Sequence, residues 1–224
     1  MSAAAVTMNT IFSGKDTRII MIKCAMLIAL IGHILCGVTD CLLSYSPKGR
    51  LNLKDINDAD KMADMFKDMP LTFPLASMLL GTFAITMFSF GYFALSDWMS
   101  DFSKTASNIM FISSVIFLIP IVTHHVFCGV VEWIYIRLGR AKAVREAVLE
   151  FQKKTIATMF VGYLGLLAFM ITLFVMIIMG NTNLPVWACV FNTLVIMMIL
   201  LPTKLPAKGN IAGAITYLGL LILI

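Results

Sequence analysis

Between Ile156 and Met179 the chain runs for 24 residues without an Asp, Glu, Lys or Arg. Roughly 20 apolar residues, coiled as a helix, match the hydrocarbon thickness of a bilayer. Backbone groups in lipid must be satisfied inside their own segment, which leaves helices and closed barrels as the spanning forms. Similar runs recur along the chain. They predict an all-α, polytopic transmembrane helical bundle of about six spans, at about residues 19–45, 73–95, 108–137, 156–179, 186–201 and 209–224, in one integral membrane domain over residues 1–224. The runs do not alternate apolar with polar residues, so a β-barrel is excluded. Composition agrees: 60% of residues are hydrophobic and 13% charged, against about 25% charged in a soluble domain.

The polar segments sort into tail, loops and one amphipathic stretch. Residues 1–14 lack the charged start and cleavage site of a secretory signal and read as a loose or surface-lying tail. Residues 52–69 place Leu53, Ile56, Met62, Phe66 and Met69 at helical spacing among Asp and Lys, which predicts a helix lying on the membrane. Asn52, with Asp55 three residues later, marks its expected start. DINDAD is not a calcium loop, because Ala59 takes a ligand position and the required Gly and closing Glu are absent. The basic segment 139–154 reads as an extension of the third span. Cys24, Cys36, Cys41, Cys128 and Cys189 all fall within apolar runs, with neither a disulfide framework nor a CxxC metal pattern. The net charge of +5 lies in the loops and suits membrane lipids as partners, not nucleic acid. Lys and Arg number thirteen at the end of the bundle reached by spans one, three and five, and four at the other. That asymmetry makes the first end cytoplasmic and the amino terminus external, in a cell membrane.

Two segments share one pattern: HILCGVTD from His33 to Asp40, and HVFCGVVE from His125 to Glu132. Each puts a carboxylate seven residues after a histidine, on nearly the same helix face and about 10 Å further along the axis. Intramembrane acids and histidines are costly, about 2.5–3.5 kcal/mol for a central carboxylate, and mark functional sites. Spans one and three run in the same direction. The expectation is therefore two polar layers, His33 with His125 and Asp40 with Glu132, His124 being on an adjacent face. Asn192 and Asn210 are supporting polar candidates, with Ser77, Ser89 and Tyr92. Three chemistries suit such a set. His33, His124 and His125 could hold Zn²⁺, whose bound water reaches a pKa of about 7. Asp40, Glu132, His33 and His125 could act directly as acid and base, in a hydrolase of a lipid or lysolipid. The same residues could form a proton or cation pathway for a transporter or channel. A non-catalytic lipid- or partner-binding protein is the remaining class, with 52–69 and 137–154 as its surfaces.

The run GHILCGVTDCLLSYSPKG, with MLLGTFAITMFSFGYFAL, WACVFNTL and GNIAGAI, resembles an uncharacterised bacterial multi-pass membrane protein family. In that family an Asp-Leu-Leu motif closes the first span ahead of a Tyr-Ser-Pro-type turn. The resemblance covers most of the chain, implies a bacterial inner membrane, and brings no activity. A weaker likeness is to the lysoplasmalogenase-like membrane proteins. Asp40 with Leu43 resembles their Gly-Asp-x-x-Leu motif with Thr39 in place of the glycine, and His125 with Tyr135 resembles their His and nearby aromatic. That family has about eight spans. The likeness would make Asp40 and His125 acid–base residues.

Overall fold

The structure, a computed structural model, describes residues 14–51 and 54–224, with Lys15 by its backbone alone. The expected tail and the expected helix start at Asn52 lie outside the described residues. The fold is all-α. Four helical stretches are long and apolar enough to cross a membrane. They are α1 (Gly14–Ser44), α3 (Thr72–Met99), α4 (Lys104–Arg137), and the pair α5 (Lys142–Thr155) and α6 (Ala157–Ile178), which run on from one another. α1 packs on α3, α3 on α4, and α4 on α6.

The segments expected as spans five and six are built differently from the first four. Residues Val186–Phe191 form a 3-10 turn that leads into α7 (Thr193–Leu200), and α8 (Lys208–Leu223) returns alongside it against α1. At 16 residues, α8 measures about 24 Å, short of a ~30 Å hydrocarbon core. It contributes a residue to the site rather than simple length.

The depth of the bundle can be read from its charges. Near the start of α1, Arg18 bonds Asp97 at 2.9 Å and Asp101 at 2.5 Å, where α3 ends. From Arg18 to Asp40 is 22 residues, or about 33 Å of helix. Asp40 therefore sits about one hydrocarbon thickness from Arg18 along the bundle.

That second end is capped by protein. α1 stops at Ser44, and a two-residue antiparallel pair, β1 (Tyr45–Ser46) with β2 (Gly49–Arg50), turns the chain. Pro47 and Gly49, the latter at φ 113°, supply the turn chemistry the sequence announced. The acidic segment caps a helix: Asp58 accepts from the backbone N–H of Asp60 and Lys61 at the start of α2 (Ala59–Phe66), satisfying orphan donors. α2 does not offer its apolar face to lipid. Met62, Phe66 and Met69 are buried against Val131, Tyr135 and Ile136 of α4 and Val148 of α5, and Phe66 meets Tyr135 edge-on at 5.6 Å. Arg140 Nε donates to Phe66 O at 2.9 Å, and Arg145 to Ile56 O at 2.7 and 3.0 Å. These bonds need the chain to reverse after Arg137, which it does through left-handed Gly139 and Arg140. The basic segment consequently extends the fourth span rather than the third. Lys48 bonds Asp64 and holds its carboxyl below the ordinary range, first by the hydrogen bond and then by charge.

Candidate functional site

Four helices bring five polar residues to a single hydrogen-bonded line, two of them from α1. His33 of α1 meets Asn210 of α8, Nδ1 to Oδ1, at 3.1 Å. Asn210 Nδ2 donates to Asp40 Oδ2 of α1 at 2.7 Å. Asp40 Oδ1 lies 3.5 Å from His125 Nδ1 of α4, an ion-pair distance. His125 Nε2 is 3.0 Å from the carbonyl oxygen of Ser77 in α3, and 3.3 Å from its Oγ. Ser77 Oγ itself donates to Thr39 O at 2.9 Å.

Two glycines make room for the rings. A Cβ on Gly81 would stand 1.9 Å from His125 Nε2, and one on Gly213 would stand 2.4 Å from His33 Cε1. Small residues permit such approach between helices. Gly209, one turn earlier on α8, has no such role, since nothing lies within 4 Å of it.

The hydrogens follow from what each atom can do. A carbonyl only accepts, so His125 Nε2 carries a hydrogen toward Ser77 O. Its Nδ1 then faces a carboxylate oxygen, and the contact is favourable when one proton lies between them, on the imidazole or on Asp40. At the other end, Asn210 gives its N–H to Asp40 and turns its oxygen to His33, so His33 Nδ1 donates. The remaining ring nitrogen, His33 Nε2, is buried and has no hydrogen-bond partner among the described residues. It sits among aromatic rings, with Phe88 stacked at 4.3 Å and Tyr217 at 5.5 Å. Ser77 is no nucleophile despite its place beside a histidine and an aspartate. Its hydroxyl hydrogen is given to Thr39 O, the residue is fully buried, and the imidazole already bonds its carbonyl.

The network opens to its surroundings around Asp40 and Asn210, both half-buried. His33 and His125 are 4% and 8% exposed, whereas the Asp40 side chain is 32% exposed. Deeper in the bundle, Phe88, Tyr92, Phe117, Phe169 and Tyr217 pack edge to face and in stacks and close the line beyond His33.

The arrangement differs from two matched layers. Asp40 meets His125, so the twin segments are offset by seven residues, about 10 Å. α1 and α4 scarcely touch elsewhere because α3 packs against both. Glu132 lies a heptad beyond His125, and its Oε2 is buried without a partner among the described residues. His124 faces α6, bonded to Thr158 and Cys128. Asn192 is structural: it caps α7 through Leu194 N at 3.0 Å and donates to Met170 O at 2.9 Å. Among the described residues no three His, Cys, Asp or Glu side chains gather as a metal ion requires. His33, His124 and His125 have separate partners, so this donor set does not fit a three-histidine zinc site. From the sequence Ser77 is only a possible contributor and Thr39 only a residue in place of a motif glycine, since both act here through backbone carbonyls.

Fold and site together define a helical protein of membrane-spanning character, with an acid–imidazole pair set among its helices and open at one end. The chain belongs to a family of unknown function (DUF6796), whose profile matches residues 8–223. No curated protein and no solved structure matches the chain. The likeness to lysoplasmalogenase-like proteins is not supported: the matching family is a different one, and no relative carries that activity to this chain.

Proposed function

We infer that the protein is a membrane hydrolase in which Asp40 acts as general base and then general acid on a lipid or lysolipid ester, with His125 as its positioning partner. The observation that carries the reading is the 3.5 Å approach of Asp40 Oδ1 to His125 Nδ1, with Asp40 as the more accessible member of the pair. The expected step starts with Asp40 as carboxylate beside protonated His125. Asp40 takes a proton from water, and the resulting hydroxide adds to the ester carbonyl carbon. When the C–O bond to the leaving alcohol breaks, Asp40 returns the proton to that oxygen. His125, held by Ser77 O, keeps the carboxylate aligned and balances its charge. Acid–base groups of this kind contribute about 10²–10⁴-fold in rate. The reading puts the site on the cytoplasmic side of a cell membrane, in keeping with the excess of Lys and Arg at this end.

The test is turnover of a panel of glycerolipid and lysolipid esters by the full chain in mixed micelles. Wild type should release fatty acid, and Asp40→Asn and His125→Gln should each reduce release at least 100-fold. Undiminished release by Asp40→Asn, or none by wild type, refutes the reading.

One observation favours a second reading, a proton-coupled transporter. The line continues through Asn210 to His33, about 10 Å deeper than Asp40, further than ester hydrolysis needs. Proton flux into liposomes that vanished in His33→Gln, with no lipid turnover by wild type, would favour it.

A further inference from the structure

A second polar array lies on α4 and α6, close to the Asp40–His125 pair, and the acid–base reading makes no use of it. Thr158 has one hydroxyl hydrogen, which goes to Thr155 O at 2.7 Å. Its oxygen is therefore an acceptor toward His124 Nδ1, 3.3 Å away, and that nitrogen carries the ring hydrogen. His124 Nε2 is left with its lone pair facing Cys128 Sγ at 3.5 Å. A neutral imidazole has one donor and one acceptor nitrogen, so the thiol donates to a base whose tautomer a third residue fixes. Nucleophile, base and orienting group in such contact are the signature of an activated nucleophile.

A further group beside the thiol is unused. Glu132 stands four residues on from Cys128, so their side chains are neighbours on one helix face. Its Oε2 is buried and unpartnered among the described residues, whereas such atoms are normally hydrogen-bonded. The depth also suits a lipid. Cys128 is 24 residues past Lys104, about 36 Å along α4, which puts the thiol at the level of headgroups and acyl carbonyls. Among the described residues, no other cysteine is hydrogen-bonded to a histidine.

We propose that Cys128 is an acyl-accepting nucleophile, with His124 as its base and Thr158 as a positioning residue, and that it takes the acyl group of a long-chain acyl thioester at the membrane interface. His124 Nε2 removes the Sγ proton as sulfur adds to the thioester carbonyl carbon. Glu132, as the acid, donates a hydrogen bond to the carbonyl oxygen. The bond from carbonyl carbon to the donor's sulfur breaks, and His124 returns the proton to the departing thiolate. One thioester is lost and one gained, with no change of oxidation state. The inference does not require Asp40 or His125.

The experiment incubates the full chain in micelles with an alkyne-tagged palmitoyl thioester and maps the hydroxylamine-sensitive label by peptide mass spectrometry. Label concentrated on Cys128, and a rate at least tenfold lower in His124→Gln, supports the proposal. Thr158→Val, which frees the imidazole to change tautomer, should slow labelling at least threefold and serves if His124→Gln does not fold. Label that favours exposed Cys24 or half-buried Cys41, or a Cys128 rate unchanged in both variants, overturns it. Hydrolysis by the Asp40–His125 pair is read separately as free fatty acid, so either reading can fail alone.

Discussion

Replacing Gly81 with alanine separates helix propensity from the geometry of the site. In an ordinary helix interior the change is favourable by about 1 kcal/mol. Here the new Cβ would fall 1.9 Å from His125 Nε2 and 2.5 Å from Cδ2, so the ring must leave Ser77 O and Asp40. Overpacking costs about 1–3 kcal/mol, and a buried polar group deprived of its partner about 1–3 kcal/mol more. Set against the propensity gain, the net loss is about 1–5 kcal/mol. For a chain of this length each kcal/mol lowers Tm by about 2–4 °C, so the melting temperature in detergent should fall by roughly 2–20 °C. Gly209→Ala is the control, because nothing lies within 4 Å of that position, and it should be neutral or slightly stabilising. Circular dichroism at 222 nm on both variants gives the answer. A Gly81→Ala protein that melts at or above wild type would show that His125 does not sit against Gly81, and the proton-sharing pair would lose its basis.

The remaining expectations address the parts around that pair. Asn210→Leu keeps the size of the side chain but strands His33 Nδ1 and an oxygen of Asp40, and should cost about 2–6 kcal/mol in chemical unfolding. Asn192→Ala should cost about 1 kcal/mol through loss of a helix cap and leave lipid turnover as in wild type; an equal loss of turnover would bring Asn192 back into the site. Phe66→Ala should cost about 3–5 kcal/mol and expose α2 to proteolysis, whereas a helix resting on lipid alone would leave the rest of the bundle as stable as before. The Lys48–Asp64 pair stabilises the fold above the ordinary Asp pKa of about 3.9 and loses that contribution as pH falls through the depressed value. Asp64→Asn should therefore flatten this acid limb of the stability profile, and an identical limb in the variant would remove the pair as its cause.

By itself the sequence determined the solvent and the currency of the fold. Charge-free runs such as 156–179 can satisfy their backbone in lipid only as helices, so helical spans follow from local composition. Pro47, Gly49 and the Asp-rich stretch likewise act over a few residues, and their turns and cap were legible in kind, although Asp58 rather than Asn52 precedes the described α2. The periodicity of Met62, Phe66 and Met69 revealed an apolar face but not what covers it, because lipid and the Val131–Tyr135–Val148 surface are equally apolar. Similarity between HILCGVTD and HVFCGVVE pointed to Asp40 and His125. It could not give their register, since the relative shift of two helices is set by whatever packs between and beside them. Tertiary structure decided that shift through α3, whose Gly81 admits the His125 ring and whose Ser77 carbonyl fixes its hydrogen. It also brought Asn210 to Asp40 across 170 residues of sequence and set Asn192 aside as a cap. Composition and period act within a segment, whereas a shared proton requires atoms from several segments within about 3 Å, and only packing sets such distances.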